Sequence, residues 1–372
     1  MRVLLLRAAL MLFSALLISS PGAAGEPRSG SATEWGKTVE GAKKEGKVVA
    51  AIPASAELRK AIGDIFPKRF PGIELDLTNA RGPSNASKIA AEHAAGARYF
   101  DFLISGTATP FNLLYANILD PVEPMLILPE VKDPERWFGG HVWLDNAQRF
   151  IYAFQVYQSE NVWHNPTLMK PDEVRSYDDL LDPKWKGKIG LLDPRSPGAG
   201  TATWAFFLKI KGEEYLKKTR SSGNVSIARS ASARRWLGQR QDRAHHRPYL
   251  LYFSALHQSR IAGQNTTQHE RSTYTSCGSS ALSVVKSSPH PNATKVFTNP
   301  LLGKEGQELH GKAMGQATRR FDVDTKWMIE HGVRASKDFL TVEENNRLEN
   351  YGEDTINNYW AKSAKIADEV FK

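Results

Sequence analysis

Cysteine is almost absent. Cys277 is the only one in 372 residues, so no disulfide can form within the chain. Stability must come from burial, which a chain of this length supplies, and the ordinary state of such a thiol is free and buried. Long apolar runs are missing too, apart from the first twenty-odd residues, so nothing later is expected to span a bilayer. The sequence also lacks G-x-S-x-G, H-E-x-x-H, and the glycine patterns of nucleotide-binding loops. Those absences weigh against an enzyme. A secreted two-lobed enzyme remains the rival class, to be separated by saturable binding without turnover. Lysine is absent from Thr219 to Ser272, where nine arginines face two acids, Asp242 and Glu270. That one stretch therefore holds seven of the nine net positive charges, and the rest is nearly neutral. A chain-wide nucleic-acid surface is excluded by this confinement, although Trp236, Tyr249 and Tyr252 do interleave with the arginines. His245 and His246 suggest a metal site, but no Cys stands at ligand spacing.

What is present begins with an export signal. Arg2 and Arg7 precede an apolar run, Ala8–Ile18, and small residues Gly22 and Ala24 follow it. Residues 1–24 are therefore expected to be a signal peptide, with the mature chain starting near Gly25 in the periplasm.

From Thr33 the pattern is regular. "ATEWGKTVEGAKKEG" has helical spacing and closes on Gly46; "KVVAAIPAS" is a buried strand opening at Ser55. A helix and the strand "GIELDLTNA" follow, ending near Arg81. The next helix has Ser84 or Asn85 as its candidate cap. "YFDFLISG" is a third strand, and "TPFNLLYANILD" a helix with Pro110 in its first turn. This alternation predicts an α/β fold with a parallel sheet. Ligands bind off the carboxyl ends of such strands, which places Ser55, Arg81 and Ser105-Gly106-Thr107 on one rim. "NAQRFIYAFQVYQSENV" reads as a strand leaving this sheet. A second unit then starts, with Ser176 and Asp179 at capping-box spacing and "GKIGLLD" as a strand. "PRSPGAGT" leads into a helix whose first amides suit an anion, or it is simply a connection.

These residues carry a resemblance. "SYDDLLDPKWKGKIGLLDP" and "KSSPHPNATKVFTNPLLGKEGQ" are similar to the extracellular solute-binding proteins of ABC importers. The branch is the iron(III) type of the two-lobed, type II periplasmic binding proteins; "EGAKKEGKVVAAIPAS" and "FDFLISG" fit it as well. The likeness implies two α/β lobes, one from 33–150 with 273–315 and the other from 151–272 with 316–372. It implies a cleft lined by Ser55, Arg81 and Ser105–Thr107 on one side. On the other it implies Asp193, Arg195, Ser196, Gly198, Gly200 and Thr201. It further implies a monomer that delivers a small-molecule or metal ligand to a permease in the inner membrane. No cofactor and no nucleic acid are expected; ferric iron with a companion anion is the favoured cargo, a polyamine, thiamine or a phosphonate the alternatives.

The resemblance fails between about Lys218 and Thr273. In iron-binding relatives two adjacent tyrosines in lobe two ligate the metal, since tyrosinate oxygens suit a hard cation. Here Leu250 and Leu251 occupy that place. Back-translated with free choice of synonymous codons and read one base later, Gln241–Gly263 gives "KTALIIGLTYYTFLPFIKAGLPV". Its Tyr-Tyr pair falls over Leu250-Leu251. Gln264–Arg271 continues as "KTLPNMKE", and Ala228–Asp242 gives "RDQRQLADGWASGKT". Thr219–Ser272 is accordingly expected to be a frameshifted reading that damages lobe two. Pro300, inside the next expected helix, marks either a break in that helix or another lesion in the gene.

Overall fold

A computed structural model describes residues 29–160, 162–164, 173–195, 198–228, 251–253, 264–265, 273–331 and 333–372. The signal peptide, Ser196, His245, His246 and Leu250 lie outside the described residues.

Helix α1 (Ser29–Glu45) ends where Gly46 takes a positive φ of 73°, as the "KKEG" pattern predicts. Strand β1 (Lys47–Ile52) follows, then α2 (Ala56–Arg69), β2 (Glu74–Asn79), α3 (Gly82–Ala94), β3 (Phe102–Ser105) and α4 (Thr109–Tyr115). β1 pairs in parallel with both β2 and β3. Connections of this kind need a crossover helix, and α2 and α3 serve as those crossovers. The α4 pattern stops early: the chain turns at Asn117, with φ 57°, and enters β4 (Leu119–Asp120). The segment Pro129–Lys132 is a single turn, α5.

The first sheet is completed by antiparallel strands β5 (Val142–Trp143), β6 (Tyr152–Ala153) and β14 (Ala281–Val285), in the order β2-β1-β3-β14-β6-β5, with β4 on β14. Its two faces bury separate cores. One contains Val48, Ile52, Phe66, Phe102 and Phe297; the other Val49, Leu103, Phe111 and Cys277. The Cys277 thiol is free and buried, and burial pushes its pKa to about 11, so it is inert.

Lobe two is built on β8 (Val162–His164), β9 (Ile189–Leu192), β10 (Val225–Ala228), β11 (Leu251–Phe253) and β12 (Gln264–Asn265), in the order β10-β9-β11-β8-β12. Helices α6 (Ala199–Lys211) and α7 (Glu213–Ser221) pack on it with the C-terminal helix Ala361–Val370. Trp204, Phe207, Leu216 and Ile366 form their shared core. Between the lobes lies a small sheet, β13-β7-β15, from Thr273–Ser276, Tyr157–Glu160 and Arg334–Ala335. β7 is the expected strand that leaves the first sheet.

Several expectations change. The α3 N-cap is Arg81, not Ser84 or Asn85. Ser176 and Asp179 do form a reciprocal box, with Ser176 N donating to Asp179 at 2.8 Å, but the turn that follows is 3₁₀. Residues 317–320, assigned to lobe two above, lie in lobe one. Thr318 bridges Gln155, Phe138 N donates to Arg319 O, and the buried Arg319 guanidinium donates to Phe138 O and Ala153 O. Pro300 does not break its helix, which runs Pro291–Leu302. It sits in the last turn before Gly303, and Gly306 packs on its carbonyl, where a Cβ would clash with backbone. The first ten residues of the stretch expected to be frameshifted, 219–228, are built into lobe two. Thr219 is buried with its hydroxyl on Tyr215 O at 2.8 Å, and buried Asn224 donates to Leu180 O at 2.9 Å. β10 then runs parallel to β9 through Ala228, so nothing from Thr219 to Ala228 departs from the fold.

Candidate functional site

The carboxyl ends of β1, β2 and β3 meet as expected, and an unanticipated residue ties them. Asn85, buried in the first turn of α3, donates its amide to Ile52 O at 3.1 Å and Ala80 O at 3.3 Å. Asn79 donates to Ser55 O at 2.6 Å. Gly82 allows α3 to approach closely: a Cβ there would lie 2.7 Å from Thr109 Oγ1 and 3.5 Å from Ser105 Cβ. Asn residues after a strand, and a Gly-Pro pair opening a helix, were the available signals for this clasp.

The rim residues divide into two kinds. Ser55 caps α2, accepting from Leu58 N at 3.1 Å and donating to Glu57 at 3.2 Å. Ser105 and Thr107 are buried, and Thr107 Oγ1 lies 3.0 Å from Cys277 Sγ. These three hold the rim together. Gly106 is half-buried, and Arg81 is exposed; its carbonyl accepts Asn85 N at 3.0 Å, while its side chain has no hydrogen bond or ion pair to the described residues. Arg81 precedes the first turn of α3, which has no side-chain cap. A free guanidinium beside uncapped amides attracts an anion.

In lobe two the charges are already matched. Arg195 donates to Asp193 through Nε at 2.8 Å and Nη2 at 2.7 Å, and through Nη1 to Phe371 O at 3.1 Å. The Arg195 hydrogen bond holds the Asp193 carboxyl below its usual range. Thr201 is buried and donates to Pro194 O at 2.9 Å. Gly200 is a packing residue, because a Cβ would fall 2.4 Å from Leu192 O. Gly198 is exposed, has a φ of 148°, and leads into α6 with no side-chain cap. What lobe two offers here is therefore the amide end of α6 on a neutralised loop. Ala108, next to Thr107, packs against the lobe-two core, so the lobe-one rim reaches across.

Leu251 opens β11, paired with Ile189 of β9 and His164 of β8. Among the described residues no group of three or more His, Cys, Asp or Glu is placed to hold a metal, and no helix is long and apolar enough to cross a membrane.

A sequence profile described as bacterial extracellular solute-binding protein matches residues 47–313. No curated protein sequence matches the chain. Among solved structures, a Trichodesmium FutA complex with iron and citrate superposes with a TM-score of 0.63 at 16% identity, covering 87% of this chain and 99% of that one. Iron-bound HitA from Pseudomonas aeruginosa gives 0.60 at 17%, covering 87% and 99%. An extracellular solute-binding protein from Bordetella parapertussis, described as putative, gives 0.59 at 14%, covering 88% and 100%. At such identities the likeness concerns the fold.

Proposed function

Since the chain belongs to the bacterial extracellular solute-binding proteins, we propose that it is the capture component of an ABC importer. It is exported by its N-terminal signal and works in the periplasm as a monomer. With its reading frame restored, it takes ferric iron with a companion anion between its lobes and delivers both to an inner-membrane permease. It binds without catalysing.

The observation that carries this reading is the rim built around Arg81. A free cation beside uncapped helix amides recognises an anion, while the neighbouring hydroxyls are committed to holding the loops. Gly106 and the amide end of α6, from Gly198, add neutral donors. Ser196 belongs to the same lobe-two loop in this reading. The FutA structure, which holds iron and citrate, supplies the pattern of a metal accompanied by a carboxylate anion.

Iron itself needs hard oxygen donors. Leucine side chains at 250 and 251 donate nothing, so the chain as it stands binds iron weakly or not at all. In our reading residues from about 229 to 272 are translated in a shifted frame, and the restored frame returns the tyrosine pair over Leu250 and Leu251.

Thermal melting of the restored chain tests the cargo. At a ligand concentration of about 100 Kd, binding to the folded form alone adds about 2.7 kcal/mol. Ferric citrate should raise the melting temperature, and spermidine, thiamine and methylphosphonate should not. A rise with one of those three and none with ferric citrate would transfer the cargo to that class. Turnover of any bound compound would transfer the protein to the enzymes.

A further inference from the structure

After β15 the chain runs along the junction of the lobes before it enters lobe two. Residues 345–356 touch both sides. Toward lobe one, Tyr351 is buried in the core with Phe111 and Leu144, and Glu353 N donates to Leu144 O at 2.8 Å. Asn146 N donates back to Glu353 at 2.7 Å. Toward lobe two, the buried Asn350 donates to Ala202 O of α6 at 3.0 Å. Neighbours 350 and 351 thus anchor in opposite lobes. Ile356 packs against both cores.

Glu349 knots this segment. Its carboxylate accepts the amides of Tyr351 and Gly352, the hydroxyl of Thr355 at 2.6 Å, and Lys209 Nζ at 3.3 Å. Lys209 also donates to Thr355 at 3.2 Å and to the Glu349 carbonyl. The pair is mostly buried, with side chains 23% and 21% exposed. A partly buried, multiply bonded pair fixes geometry far better than an exposed one. Lys209 lies two turns along α6 from Ala202, on the same face, about 10 Å away. The helix therefore has the candidate ligand lip at its first turn and this knot near its other end.

We propose that the turn Glu349–Gly352 is the pivot on which lobe two swings, and that Lys209 is a positioning residue that couples α6 to it. The proposal rests on the reading of solute capture between lobes, but its test contains no ligand. Failure here and failure of the cargo assignment are therefore distinct.

The test measures the distance between spin labels on the ligand-free full chain by pulsed electron resonance. Labels are placed at Arg59→Cys in lobe one and Lys365→Cys in lobe two, with Cys277→Ser. Lys209→Met and Glu349→Gln should each broaden the distance distribution about twofold, because an unfastened hinge samples more closure angles. Lys209→Arg should keep the parental width. Lys217→Met, which removes a bridge to Glu213 of 2.9 Å inside lobe two, should also keep it. Glu349→Gln preserves an acceptor for the turn amides and carries the test alone if Lys209→Met does not fold. A lowered melting temperature with parental width in both variants would make the pair merely stabilising and overturn the proposal. Equal broadening by Lys217→Met would overturn it too.

Discussion

Replacing Gly200 by alanine adds one methyl group where no room exists. The new Cβ would lie 2.4 Å from Leu192 O and 2.9 Å from Asp193 O. Ordinary contact is about 3.4 Å or more, so the first turn of α6 must withdraw by roughly 1 Å from the end of β9, whose backbone cannot yield. Overpacking of this kind costs about 1–3 kcal/mol, against about 1 kcal/mol gained from alanine's helix propensity. The net loss is up to about 2 kcal/mol, at some 2–4 °C per kcal/mol in melting temperature. The withdrawal also moves the amide end of α6, so solute affinity should fall by about tenfold or more. The control is Gly63→Ala on the exposed face of α2, where a Cβ meets nothing within 4 Å. That change should stabilise by about 0.5–1 kcal/mol. Circular-dichroism melts of the two variants, with a titration of the restored chain, read both effects. A Gly200→Ala melt raised above the parent's, as expected for Gly63→Ala, would refute the close approach of α6 to β9 and the packing role given to this glycine.

Other outcomes follow from the same contacts. In the restored chain, Arg81→Ala should lower ferric citrate affinity about tenfold while leaving the melting temperature unchanged, since the side chain has no partner among the described residues; calorimetry decides. Asn299 is buried, accepts Ile127 N at 2.8 Å and Leu128 N at 3.0 Å, and donates to Met125 O at 2.7 Å. Asn299→Ala leaves these groups unpaired and should cost about 3 kcal/mol or more in urea unfolding, at about 1–3 per buried group. Asp193 has a depressed carboxyl, chiefly through Arg195, so its contribution is present above the ordinary carboxylate range and is lost as pH falls through its lower folded value. Acid titration should free Arg195 from Phe371 O, and Asp193→Asn should abolish that acid-dependent change in hydrogen exchange at the C-terminal helix.

Lobe one was legible because its signals are local. Apolar runs such as "VVAAI" and "FLIS", with Gly46 and Pro83 as punctuation, define β1, β3 and the ends of α1 and α3. Its rim was legible in outline, because strand ends follow from topology. Which rim residues hold the loop and which remain free was not. Ser55, Ser105 and Thr107 look alike in sequence, yet only the fold reveals that a cap and a thiol engage Ser55 and Thr107. Arg319 was misplaced for a related reason. It fell in the 316–372 range that the resemblance gives to lobe two, and the carbonyls of Phe138, Ala153 and Gly140 that hold it in lobe one are distant in sequence. The Lys209–Glu349 knot joins residues 140 apart, so no local pattern announces it.

Solute capture is expected to depend on the tyrosine pair that a one-base shift of frame would return over Leu250 and Leu251. Calorimetric titration of ferric citrate into two proteins, the chain as it stands and one carrying the shifted reading over residues 229–272, tests this. Saturable, stoichiometric binding by the restored chain alone is the predicted result. Equal binding by both, or none by the restored chain while it folds, would contradict the account.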